Sequence, residues 1–355
     1  MSATDHNFAA TQSLHPTPDS TGGVAVTSQR AAQARPELTP VQQRPRTLVG
    51  ALARLVRPNA AVALTMPVLC GALLAWWEIG LFHPLPLLFN LVSTLTLALG
   101  MNALAEHFDY THAERALRLP ETNPQWEPPL TGYGLLVQRL IRPALALNLG
   151  YCLLLCSLLC SLWATLLAGW PVLFFSGLGL ALAYTHAGPP LRYGYRGWAL
   201  GEIGVFLGYG LLPLLGGYFG QSQMLTGLAL WTGLPISLLT TLIFLNYNLV
   251  YEYRDWLMHK RTLVVNIGAG RALDLSAIMV LALHAGLLCM VSLGYLPLYT
   301  LITLAALPTA MSGFSRLRQS SMMVVERFRL YNNTVYAGIW TGLLFCAALL
   351  GDKLF

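Results

Sequence analysis

Between residues 57 and 351 the chain is a succession of long apolar runs, and that pattern leaves few folds open. Crossing a bilayer's hydrocarbon core takes about 20 apolar residues of helix. Lipid satisfies no backbone N–H or C=O, so each crossing segment has to close its own hydrogen bonds. Runs at 57–80, 85–106, 142–165, 169–185, 199–218, 226–250, 271–294, 296–312 and 334–351 are candidate spans. The stretch 142–185 is too long for one crossing, and Gly169-Trp170-Pro171 divides it. The expected fold is all-α, a polytopic membrane bundle of about nine transmembrane helices. Composition points the same way: 10% of residues are charged, against roughly 25% in an ordinary globular domain.

Residues 1–48 are rich in Ser, Thr, Pro, Gln and Ala, without apolar periodicity. They are expected to form a disordered tail, with no apolar signal-peptide core near the start, ahead of a transmembrane domain over 49–355. The net charge is +6, but basic residues in a membrane protein record topology, so no nucleic-acid partner is expected. All six cysteines lie in apolar segments. Cys152, Cys156 and Cys160 share one helix face with no His or acid beside them, and read as small packing residues.

The charges are distributed unevenly. With a cytoplasmic tail, every one of the 21 Lys and Arg residues except Lys353 falls on the cytoplasmic side of the nine spans. Beyond the tail, so does every acid except Glu78 and Asp352. The expected location is an integral, multi-pass membrane protein with its polar face toward the cytoplasm, in the inner membrane if the source is bacterial.

Two acidic clusters share that face. In "EHFDYTHAE" (106–114), Glu106 and Asp109 sit on one helix face, with Glu114 two turns beyond Glu106. In "NYNLVYEYRDWLMHKRTL" (246–263), Asn248, Glu252, Asp255 and His259 fall at i, i+4, i+7 and i+11, followed by Lys260 and Arg261. Carboxylates from two helices suit Mg²⁺, whose shell is completed by water and substrate phosphates. Neighbouring cations suit phosphate oxygens, and an apolar bundle beneath would house a hydrocarbon chain. The physical reading is a membrane site for a lipid diphosphate. A solvated helix end is the plain alternative for the first cluster alone.

At these residues the sequence resembles the UbiA superfamily of membrane prenyltransferases, in particular its menaquinone-pathway branch, the 1,4-dihydroxy-2-naphthoate polyprenyltransferases. The resemblance covers most of residues 55–270, through "VRPNAAVALTMPVLCGALLAW", "NALAEHFDYTHAE", "TGYGLLVQRLIRP", "YTHAGPPLRYGYRGWALGEIGVFLGYG" and "NLVYEYRDWLMHKRTLVVNIG", in order. It implies Mg²⁺-dependent transfer of a polyprenyl group from its diphosphate to an aromatic ring, a dihydroxynaphthoate in that branch, with loss of the ring's carboxyl group. It puts Asn102, Glu106 and Asp109 in the first metal-diphosphate motif, Asp255 in the second, and Lys260 on the diphosphate. Candidate metal ligands are Glu106, Asp109, Glu114, Glu252 and Asp255. Candidate substrate contacts are Asn248, Arg142, Lys260, Arg261, Tyr184 and His186, the last two toward the aromatic acceptor and His186 also as its base. Glu202 matches the family's Gly-Glu, with capping and substrate contact both open.

Two departures stand out. The family usually has Asn-Asp where this chain has Ala105-Glu106, and its first aspartate of the second motif is Tyr251 here. Glu106 still offers oxygen ligands. A phenol is a poor Mg²⁺ ligand, so Glu252 next door is the expected substitute. A terpene cyclase on the same scaffold and a non-catalytic lipid binder or assembly partner remain the alternatives.

Overall fold

Helix boundaries follow local punctuation in the sequence. The computed structural model describes residues 45, 47–116, 132–314 and 323–354, with side chains for all of these except 113–116. The expected tail, apart from residues 45, 47 and 48, lies outside the described residues. Residues Arg44–Phe355 form one compact unit.

Helix α1, Leu48–Val56, starts where the Thr47 hydroxyl accepts a hydrogen bond from the Gly50 amide at 3.1 Å. Arg57 then turns the chain in a left-handed conformation (φ 51°), and α2 begins at Pro58 and runs to Ile79. Gly80, at φ 85°, stops it. Then come α3 (Pro84–Ala116), a short α4 (Gly132–Val137) and α5 (Pro143–Ala168). Gly169, at φ 91°, separates α5 from α6 (Trp170–Ala187), the break expected from Gly169-Trp170-Pro171. Helix α7, Leu200–Ser222, carries a π-helical turn at Phe206–Leu211. The chain finishes with α8 (Gly227–Leu257), α9 (Leu263–Ile267), α10 (Ala269–Ser292), α11 (Leu298–Met311) and α12 (Val324–Leu354).

The molecule is a polytopic membrane bundle. Each expected span coincides with an apolar helix, but seven of these, among the described residues, are long and apolar enough to cross a membrane. Helix α6 has 18 residues and ends in the polar Tyr184-Thr185-His186. Helix α11 is shorter still and largely 3₁₀. The count of nine full crossings is therefore not confirmed.

Small residues let the helices approach. A Cβ at Gly71 would overlap the Leu214 carbonyl, and one at Gly217 the Val68 carbonyl, so α2 and α7 touch backbone to backbone. Gly100 and Gly150 do the same for α3 and α5. Outside, α5 presents Leu155, Leu158, Leu159, Leu162, Trp163 and Leu166, an exposed apolar face. Cys152 and Cys156 lie on this exposed face rather than packed inside the bundle, and all six thiols are free.

Gly217→Leu is expected to destabilise the fold by about 3 kcal/mol or more, because backbone cannot yield as a side chain does. Fluorescence-detected gel filtration after graded heating reads this as a lower melting midpoint, and an unchanged midpoint would refute the close contact.

Candidate active site

A cavity opens among α2, α3, α6, α7 and α8, apolar in its depth and charged at one end. The charge comes from two helix ends and two loops. On α3, Asn102, Glu106 and Asp109 repeat at helical spacing and all line the cavity. On α8, Tyr247, Asn248, Arg254 and Asp255 do so from the facing side.

Past Leu257 the helix stops. His259 adopts a left-handed conformation (φ 54°), and the Lys260 amide donates to the Asp255 carbonyl at 2.8 Å. This reversal swings Lys260 back into the chamber, where its ammonium bonds Asp109 and lies 3.4 Å from Asp255 Oδ1. The Arg261 amide donates to the Tyr195 carbonyl at 3.0 Å, pinning the α6–α7 loop beside it. From that loop Arg192, itself left-handed at φ 44°, reaches Asp109 Oδ1 at 3.4 Å. From the α1–α2 joint Arg57 reaches Glu106 Oε1 at 3.3 Å, over the Tyr247 ring. Tyr247 donates to the same oxygen at 2.9 Å.

Among the described residues, Arg57, Arg192, Arg254 and Lys260 thus face Glu106, Asp109 and Asp255, four cations against three carboxylates. Burial, with Asp109 and Asp255 nearby, pushes the Tyr195 hydroxyl up, and burial pushes that of Tyr133 up to about 12, so both remain neutral. In low dielectric such a cluster persists only when every charge has a partner, and a slight positive surplus is a standing invitation to an anion.

The structure sorts the remaining candidates. Asn102 donates to the Val56 carbonyl at 2.8 Å, tying α1 to α3, while its side chain also borders the cavity. Asn248 donates to Glu202 Oε1 at 3.3 Å, so Glu202 acts as a buried tie between α7 and α8. His186 lines the cavity with Nε2 buried and unbonded, its ring 4.9 Å from Phe244 and 5.4 Å from Tyr193. Gly132 begins α4 and packs on the Glu106 side chain, leaving no room for a Cβ.

Several of the expected site residues lie elsewhere. Glu252 does not replace Tyr251, because its position turns it away from the cavity; it accepts from Arg327 at 2.8 Å and from the Ala269 amide at 3.0 Å. His259 lies beyond the helix and leaves the stripe. Arg142, at the start of α5, and Arg261 are exposed and do not line the cavity. Tyr184 packs edge-on against Phe108 and meets Tyr151 at 3.5 Å, also outside it. Glu114 lies outside the residues with described side chains. Arg57, Arg192, Arg254, Tyr195 and Tyr247 were missed as site residues. Tyr247, Tyr251 and Arg254 at i, i+4, i+7 carried a helical signal, whereas the two loop arginines carried none beyond charge.

The sequence profile of the UbiA prenyltransferase family matches residues 64–332. The chain belongs to that family. This prenyltransferase is 27% identical over 296 residues to the 1,4-dihydroxy-2-naphthoate octaprenyltransferase of Escherichia coli (strain K12), a match spanning 82% of the chain and 92% of that protein. It is 30% identical over 145 residues to the 2-carboxy-1,4-naphthoquinone phytyltransferase of Synechocystis sp. (strain ATCC 27184 / PCC 6803 / Kazusa). That second match spans 40% of the chain and 45% of the relative. The fold matches a UbiA homologue of Aeropyrum pernix K1 with a TM-score of 0.58 at 16% identity, covering 83% of this chain and 98% of that one. It matches a homologue of Archaeoglobus fulgidus bound to GPP and Mg²⁺ with a TM-score of 0.53 at 13% identity, covering 86% of this chain and all of that one. The enzyme stands near the dihydroxynaphthoate branch of the family.

Arg142→Gln in this prenyltransferase is expected to change kcat/KM by no more than about twofold, as for an ordinary surface position. A steady-state comparison with the parent protein checks it.

Proposed function

We propose that the enzyme transfers a polyprenyl group from its diphosphate to a dihydroxynaphthoate, with the charged end of the cavity facing the cytoplasm and Mg²⁺ as cofactor. The observation that carries this is the juxtaposition of a cation-rich pocket with an apolar cavity inside a membrane bundle. The charged end suits a diphosphate, and the depth, walled by Leu64, Met101, Leu182, Val205 and Ile243, suits an isoprenoid. The names of the curated relatives support the acceptor class.

The residues fit Mg²⁺. Glu106 Oε2 and Asp255 Oδ1 are buried oxygens without a hydrogen-bond partner, and Asp109 belongs to the same ion-pair cluster. All are hard donors. Among the described residues no three His, Cys, Asp or Glu side chains converge closely enough to hold a metal by themselves, so the substrate's diphosphate oxygens would complete the shell. When bound, the ion neutralises charge that gathers on the departing pyrophosphate.

The chain's own groups do the rest. Arg57, Arg192 and Lys260 offer N–H donors to the diphosphate oxygens, and their attraction grows as the carbon–oxygen bond breaks and its electrons leave with pyrophosphate. Tyr193, Tyr195, Tyr209 and Phe244 line the cavity, and aromatic rings there would stabilise positive charge on the allylic carbon. They also offer stacking for a planar acceptor. His186 Nε2 is the buried acceptor available for a hydroxyl proton of the aromatic acceptor, which raises the ring's electron density. The new carbon–carbon bond then forms at the ring carbon that bears the carboxylate, which leaves as carbon dioxide while the electrons of its bond restore the aromatic ring.

The test uses membranes containing the protein, Mg²⁺ and labelled polyprenyl diphosphate, with and without dihydroxynaphthoate. Product that requires the acceptor supports the transferase. A cyclised hydrocarbon formed without acceptor would replace it with a cyclase, and no consumption of diphosphate would refute both.

A further inference from the structure

Arg254 sits at the meeting point of the two acidic helix ends. Its terminal nitrogens are 3.7 Å from Glu106 Oε2, 3.9 Å from Asp109 Oδ2 and 3.6 Å from Asp255 Oδ1. These separations give charge pairing but exceed hydrogen-bond length. Its Nε is buried without a hydrogen-bond partner. A guanidinium carries five N–H donors in a rigid fork matched to phosphate oxygens, and this one is charge-balanced yet under-used as a donor. Its Cζ lies over the Tyr251 ring, 4.1 Å from the centroid, and 5.4 Å from the centroid of Tyr133.

The position beneath it is the one where the family pattern has an aspartate and this chain has Tyr251. One turn on, at i+3, Arg254 shares the Tyr251 side of α8. The exchange removes a negative charge and uses the ring that replaces it to seat a positive one. The local surplus of cations over carboxylates follows from this pair.

We propose that Arg254 is a direct diphosphate ligand, positioned by Tyr251, and that through it the chamber binds an isoprenyl diphosphate or free pyrophosphate without divalent metal. This rests on the diphosphate reading above and refines it: metal assists bond breaking, while capture belongs to the guanidinium. Incoming oxygens take up the idle N–H groups, and the three carboxylates keep Arg254 aimed into the cavity.

The experiment is calorimetric titration of inorganic pyrophosphate into the full-length protein in lipid nanodiscs, in excess EDTA and in Mg²⁺. The parent protein is expected to bind in EDTA. Arg254→Gln is expected to weaken that binding about tenfold or more, the scale of a lost charge-assisted hydrogen bond. Arg254→Lys, which keeps the charge and so the ion-pair cluster, is expected to fall between them; it guards against a glutamine variant that fails to fold. Tyr251→Asp is expected to make binding depend on Mg²⁺. Absence of parental binding in EDTA, or equal binding by parent, Gln and Lys variants, overturns the proposal. If prenyl transfer is found in the same preparation, such a result sinks Arg254's role alone. If neither transfer nor pyrophosphate binding occurs even with Mg²⁺, the diphosphate reading falls with it. Binding in EDTA that needs Arg254, without transfer, upholds the anion site and removes the transferase.

Discussion

Replacing Asp109 by asparagine is expected to cut prenyl transfer about a thousandfold. Asp109 is the hub of the cluster: Lys260 bonds it, Arg192 is 3.4 Å away and Arg254 3.9 Å away. Asparagine keeps the shape but removes both the charge that holds these cations in line and a carboxylate oxygen of the proposed Mg²⁺ site. Breaking a buried pair by removing one partner can cost 3–5 kcal/mol. Here the loss is buffered, because Lys260 retains Asp255 at 3.4 Å and Arg254 retains both Glu106 and Asp255. The variant should therefore fold with a lowered melting midpoint and be inactive at temperatures where it is intact. Activity above about a tenth of the parent's would refute a central role for this carboxylate.

Lys260→Met is expected to lower kcat/KM about a hundredfold, mostly through kcat. Methionine preserves the apolar stem, so packing against the Tyr195 ring, which the ammonium overlies at 4.5 Å, changes little. What disappears is a buried positive charge, 4% exposed, where pyrophosphate would develop negative charge. Ground-state capture persists through Arg57, Arg192 and Arg254, so KM for the prenyl diphosphate should move less than kcat. A rise in KM with kcat unchanged would place Lys260 in ground-state binding alone.

How much of this was readable beforehand depended on distance along the chain. The apolar runs, the break at Gly169 and the acidic ends of α3 and α8 are local patterns, and the structure keeps them. The direction each side chain takes at a helix end is not local. Glu252 and Tyr251 are neighbours, yet one reaches Arg327 on α12 while the other packs beneath Arg254. Lys260 reaches Asp109 only because His259 turns left-handed. Arg57 and Arg192 carried a topological meaning in the sequence, and nothing in their spacing announced the acids 49 and 83 positions away. Their second role emerges once distant joints pack together.

The joint at Arg57 sets a limit on how the protein can be shortened. Truncation as far as Thr47 would keep the hydroxyl cap of α1, the Val56 carbonyl that Asn102 grips, and the guanidinium over Tyr247. A protein starting at Pro58 would retain every long apolar helix, yet lack the residue that faces Glu106. A bulky affinity handle fused directly at that joint would press on the same hinge, so such a handle belongs at the far end, after α12.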